Sequence, residues 1–346
     1  MPDGIIFPAP WRIVKARTPE DRTRDILRKF AYLFIALALA FAAFAHVAQD
    51  VFFFRLATEA LLFGGLAMGV DLLLGYAGLL SLGHALFFGL GAYVSALVLK
   101  DVAPSFWLAM FVTLCVATGA GAVAGIIAIR ARGVYFALIT FGMAEVVAKA
   151  VFNTPELGGS DGIIGVPIID VNLLFFTVRS NDPAGFFLLT LAVIMGFYFA
   201  LEALLRTPFG RLIVAVKANE DRVPFLGFSA QRHKFLVFVM ASNVAALSGA
   251  LYPMLRGFVS PELMFFHTSG NAVITVILGG LGTLIGPLYG SVILAALKSV
   301  VGSFTEHHLI IIGALFMVAV IFFPKGLVGF LRARIEARAV STGEAS

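Results

Sequence analysis

Uncharged runs long enough to cross a bilayer constrain this chain more than any other feature. Ser105 to Ile129 and Phe235 to Leu255 contain no charged residue, and Val134 to Phe152 contains only Glu145 and Lys149. A spanning helix needs about 20 apolar residues, because the hydrocarbon layer is about 30 Å thick and a helix rises 1.5 Å per residue. Composition agrees: the chain is 60% hydrophobic and 13% charged, whereas a soluble domain is roughly half apolar and a quarter charged. A mean hydropathy of +0.98 is too high for a soluble core.

Two runs are too long for one crossing. Ala60 to Val98 has only Asp71 as a formal charge, and Leu263 to Leu297 has none. Each is interrupted by glycines, GYAGLLSLGH at 75–84 and GGLGTLIGPLYG at 279–290. Irregular backbone survives at membrane depth only inside protein or beside water. Each run therefore reads as two segments joined by a break near the bilayer midplane. The expected fold is an all-α, polytopic membrane protein of about ten segments: 30–48, 57–75, 80–99, 105–129, 134–152, 184–204, 234–256, 268–282, 286–304 and 308–324. Corresponding broken segments in the two halves point to pseudo-repeats with a site between them. Small residues such as ATGAGAVAG at 117–125 permit close helix approach.

The net charge of +5 is best read through loops. Seven Lys/Arg precede residue 30, two lie in the 130–133 turn, six in 205–234 and four after Pro324, together nineteen of the 25. Arg55, Lys100, Arg179 and Arg256 fall in the opposite loops. The positive-inside rule then places both termini in the cytoplasm. The organisation expected is a basic segment 1–29, a transmembrane domain 30–324 with a cytoplasmic loop 205–234, and a basic tail 325–346. The 19-residue run Phe30 to Ala48 is long enough to be an uncleaved first helix rather than a signal peptide. The single cysteine, Cys115, allows no intrachain disulfide.

The chain has no phosphate-cradling G-x-x-x-x-G-K-[ST], no H-E-x-x-H, no G-x-S-x-G and no C-x-x-C, so nucleotide, hydrolase and redox chemistry lack their usual residues. Interest falls on polar groups at membrane depth. Asp71 is ionisable inside a span, and such groups face a cavity or a partner. Ser81, Gly83 and His84 sit at the first break, where a helix N-terminus can bind a carboxylate or be capped from within. With Tyr93, these are the candidate residues of a translocation pathway. Replacing Gly83 by Leu is expected to block passage without disturbing assembly. Glu145 and Lys149, at i and i+4, read as an ion pair. Residues 209–228 mix both charge signs with apolar groups, as a short amphipathic helix would.

GYAGLLSLGHALFFGLGAYVSA (75–96), RGVYFALITFGMAEVV (132–147), GGSDGI (158–163), FGRLIVAVKANEDRVPFLGF (209–228), SGALYPMLRGFVSPELM (248–264), VILGGLGTLIGPLYGSVIL (276–294) and FPKGLVG (323–329) occur in one order. Together they resemble the permease family of branched-chain amino-acid ABC transporters, of the LivM type. The chain departs from that pattern at Asp71, usually Asn; at Leu79, usually Gln; and at Val223 and Pro224, usually small. The resemblance implies a permease of the bacterial inner membrane that moves a hydrophobic amino acid from periplasm to cytoplasm by alternating access. It implies no cofactor on this chain, with ATP and Mg on partner subunits. The implied partners are a second homologous permease, two ATP-binding subunits and a periplasmic substrate-binding protein, with lipid around the spans and no nucleic acid. It also implies that Phe209, Gly210, Arg211, Lys217, Asn219, Glu220 and Gly227 couple the loop to the ATP-binding subunit. Rival readings are a same-family permease for urea, a short amide or a sugar, a secondary transporter, and a scaffold packed dry at both breaks.

Overall fold

The computed structural model describes residues 19–48, 50–172 and 177–304, with short stretches between 310 and 334. Eleven α-helices are described: α1 (Pro19–Ala48), α2 (Val51–Asp71), α3 (Ala85–Leu97), α4 (Phe106–Ala128), α5 (Val134–Phe152), α6 (Pro183–Arg206), α7 (Pro208–Ala218), α8 (Ala230–Ala250), α9 (Tyr252–Arg256), α10 (Phe266–Gly279) and α11 (Gly286–Phe304). Several begin at a side-chain cap. Asp50, Asp182, Thr207 and Ser229 each accept a hydrogen bond from a backbone N–H two or three residues on, which satisfies one donor of the opening turn. A wider π-helical turn, Leu72–Ala77, prolongs α2, and a second, Val98–Val102, prolongs α3.

Eight of these helices are long and apolar enough to cross a membrane. The fold is therefore an all-α polytopic membrane architecture. α10, with 14 residues, rises only about 21 Å and cannot cross alone. The tenth expected segment, 308–324, falls largely outside the described residues, as do the basic N-terminal segment and most of the tail.

The two ends of the bundle can be told apart by their contacts. At one, the loop end, Arg28 in the first half of α1 pairs with Glu202 of α6, and Arg132 pairs with Asp221 at 3.0 Å. The first turns of α1, the 130–133 turn and the 205–234 loop thus share one end. Gly326 lies there too, against Gly280. At the far end, Lys100 donates to the Ile164 carbonyl and Trp107 to that of Asn172. Two small antiparallel ladders lie there, β1 (Ile163–Ile164) with β4 (Phe258–Val259), and β2 (Asp170–Asn172) with β3 (Thr177–Arg179).

α2, α3 and α8 form the buried centre. A Cβ on Gly91 would lie 2.0 Å from the Ala246 carbonyl oxygen, and one on Gly249 would lie 1.9 Å from that of Phe88. Only glycine lets these backbones touch, which is how apolar helices gain contact in lipid. Within 117–125, Gly121 and Gly125 face α8 in the same manner, whereas Gly119 meets no neighbour.

Candidate functional site

The two glycine breaks meet each other, nearer the loop end than mid-span. Gly75 lies so close to Gly282 that a Cβ on it would stand 2.6 Å from the Gly282 nitrogen. Asp71 joins them. Its Oδ1 accepts from Gly282 N–H at 2.6 Å, and its Oδ2 from Thr283 N–H at 3.2 Å and Leu284 N–H at 2.9 Å. Leu284 is the one described non-glycine residue with a left-handed φ, +56°, a conformation that persists only where neighbours enforce it. The carboxylate enforces it here. The charge that looked like a lining group is fully enclosed and holds the second break in shape.

The candidates of the first break are likewise enclosed. Ser81, His84 and Tyr93 are all buried. The start of α3 is capped by other helices, as Leu82 N–H donates to Thr140 Oγ1 and Ala85 N–H to Ser269 Oγ. The donors expected to receive a solute carboxylate are thus satisfied within the protein. His84 packs between Phe87 and Phe238; the Ala241 carbonyl faces it, outside hydrogen-bond geometry. A Cβ on Gly83 would stand 1.9 Å from the Thr140 carbonyl oxygen. Gly83→Leu therefore cannot leave assembly intact, contrary to expectation. Glu145 also differs from the sequence reading. It accepts from Phe266 N–H at 3.2 Å, capping α10, and makes no ion pair with Lys149.

The breaks touch at Gly75 and Gly282, and a small cavity of about 210 Å³, lined by Tyr76, Thr283, Leu284, Glu202 and Arg211, lies beside their junction at the loop end; the larger room for a solute lies elsewhere. A cavity of about 560 Å³ lies between α2, α9, α10 and α11. It runs from Phe52 and Phe258 at the far end down to Thr275 and Ser291. Ser291 stands beside Gly64, thirteen residues into α2, so the cavity descends about 20 Å, half the bundle. Below it, α10 and α11 close: a Cβ on Gly290 would lie 2.2 Å from the Thr275 carbonyl oxygen and one on Gly279 would lie 1.9 Å from that of Gly286. Glu59, ion-paired with Arg256, and Lys298 line its walls. None of these three was singled out from sequence. Glu59 and Lys298 sit on apolar helices at positions the 57–75 and 286–304 segments already contained, and an ionisable group inside a span was the available signal.

At the loop end, Lys217 points inward. Its ammonium donates to the Gly75 carbonyl, and its stem packs on Gly78, where a Cβ would be 3.0 Å from Lys217 Cγ. α7 is therefore fastened to the junction of the breaks. Glu220 is also used internally, by Lys234 and by Arg132 at 3.6 Å. Asn219 accepts from Arg222 N–H to close the turn after α7. Phe209 stacks on His233, and Gly210 lies against the Leu205 backbone. Arg211 is exposed, and Gly227 takes a left-handed φ of +80°. Outward-facing apolar groups are instead Phe225, 90% exposed, and Leu226, 66% exposed.

Comparison with known proteins accounts for this architecture. Residues 52–320 match the family described as the permease component of branched-chain amino acid transport systems. The high-affinity branched-chain amino acid transport system permease protein LivM of Escherichia coli is 29% identical over 301 residues, covering 81% of this chain and 71% of LivM. The corresponding LivH of Escherichia coli is 23% identical, covering 76% and 90%. The xylose transport system permease protein XylH of the same organism is 30% identical over 146 residues, covering 40% and 36%. No solved structure matches. With most of its length under the family pattern, this chain is a member of the family of branched-chain amino acid transport system permeases.

Proposed function

We propose that this chain is one permease subunit of an ATP-driven importer that carries hydrophobic amino acids across a bacterial inner membrane. In this reading the loop end and both termini are cytoplasmic, because nineteen of 25 basic residues belong to segments assigned to that side. The observation that carries it is the cavity's shape. It is lined from the far end down to half depth, where α10 and α11 close below it, and the break joining those two helices is fastened through Gly75 to a helix of the 205–234 loop. Moving α7 would move the junction, and alternating access needs such a link between an outside force and an internal seal.

The force would come from two ATP-binding subunits, which supply the nucleotide and Mg chemistry this chain lacks motifs for. The exposed Phe225 and Leu226, on a turn whose Val223 is anchored beside Val216 and Ala230, suit a groove on such a subunit. A second permease would complete the path, and a periplasmic binding protein would deliver the solute. The test is reconstitution of the full complex in liposomes. Leucine uptake should require ATP and the binding protein. Phe225→Ser with Leu226→Ser should abolish stimulation of ATP hydrolysis by the loaded binding protein while this chain stays assembled. Leucine uptake by this chain alone would refute the reading in favour of a secondary transporter.

A further inference from the structure

Resting on the transport reading above, we propose that the α2/α10/α11 cavity binds the solute itself and is built for a zwitterion, Lys298 receiving its carboxylate and Glu59 its ammonium. Lys298 lies six residues before the end of α11 and faces the cavity, half-buried. Among the described residues it has neither an ion pair nor a hydrogen bond, whereas its neighbour Glu59 is paired with Arg256. An ammonium inside a span whose nearby carboxylate, Glu59, is already engaged by Arg256 is costly and calls for a further anion. A free amino acid supplies one.

The same solute brings a cation, and of the two carboxylates that line the cavity, Glu59 and the exposed Glu262, Glu59 is the one whose charge reaches Lys298. Its two oxygens can serve Arg256 and an ammonium together. Asn271 adds an amide, while Phe63, Leu263 and Leu294 give the apolar surface that an aliphatic side chain would cover. The volume, about 560 Å³, lies within the range of small-molecule pockets, about 300–1,000 Å³. A neutral sugar, urea or amide would enter without neutralising Lys298, and would then bear the cost of desolvating an unpaired charge.

Cys115 is the only cysteine and sits exposed on α4, so it can be removed. In the complete transporter carrying Cys115→Ala and Ser260→Cys, a lining position with no part in the proposed contacts, the cavity can be probed by the rate of modification with a charged thiosulfonate. Millimolar leucine should slow that rate several-fold. Leucinol, which lacks the carboxylate, and isocaproate, which lacks the ammonium, should not. Adding Lys298→Met should raise the leucine concentration needed for protection by about tenfold or more, the loss of one charge-assisted hydrogen bond. Lys298→Arg should restore it. If Lys298→Met fails to assemble, Lys298→Gln carries the same expectation. Protection unchanged in the Lys298 variants, or equal protection by leucinol, would overturn the proposal and assign Lys298 to the lipid interface. Leucine uptake by the wild-type complex is measured alongside. Its absence would defeat the transport reading, whereas uptake with unaltered protection would defeat the site assignment alone.

Discussion

Asp71→Ala is the sharpest probe of the junction. The substitution leaves the N–H groups of Gly282, Thr283 and Leu284 without their acceptor. Hydrogen bonds to a charged group contribute about 1.5–3 kcal/mol each, so three give a gross loss of about 4.5–9 kcal/mol. The carboxylate no longer has to be buried, which offsets several kcal/mol of that. A net loss of about 3–5 kcal/mol is expected, in line with removal of one member of a buried charged set. Asp71→Asn keeps one acceptor oxygen, which can serve Thr283 and Leu284. Its amide then opposes the Gly282 N–H, so the loss is about 1–3 kcal/mol. Thermal inactivation of the purified complex at a fixed scan rate should follow the order wild type, Asn, Ala, with Ala lower by roughly 6–20 °C. Should Asp71→Ala match wild type in stability yet lose uptake, Asp71 would touch solute rather than hold the break. Equal losses for Asn and Ala would refute the three-donor account.

Other substitutions test the packing and the loop. Gly249→Ala pushes a methyl to 1.9 Å from the Phe88 carbonyl oxygen and should cost about 1–3 kcal/mol or more, whereas Gly142→Ala, with open space around it, should be silent in the same melting assay. Lys217→Met keeps the stem on Gly78 but removes the bond to the Gly75 carbonyl; uptake per ATP hydrolysed should fall roughly tenfold, and an unchanged ratio would show that α7 does not act through that contact. Accessibility tags at Asn181 and Arg211 should report opposite sides of the membrane, and a shared side would break the topology.

Helix positions were legible because hydrophobic run length is a strong signal. α4 and α8 fall close to the uncharged runs 105–129 and 235–255, and α5 and α11 match the expected segments 134–152 and 286–304. The breaks were legible too, since few residues other than glycine permit backbones at contact distance. Their role was not. Whether Asp71 faces water or three amides depends on residues more than two hundred positions away. Glu145 shows the same limit: helical spacing offered Lys149 as partner, but tertiary structure brought the Phe266 N–H. Glu220 and Lys217 have the composition of a docking surface, yet both turn inward, and Phe225 and Leu226 took the outward positions. Lys298 went unnoticed because a single lysine near a helix end most often extends to the interface.

The start of α3 has a consequence for how the chain is made. Ala85 N–H depends on Ser269, 184 residues later, and Leu82 N–H depends on Thr140, 58 residues later. At roughly 5–20 residues per second, the ribosome needs on the order of ten to forty seconds to deliver Ser269. During that interval the opening turn of α3 must keep water or lipid-surface donors and acceptors in reach, because an open amide in hydrocarbon is too costly. The segment from Gly78 to His84 therefore cannot take its final depth as it emerges. It settles only once α10 arrives, which makes the C-terminal third of the chain the step that completes the N-terminal half.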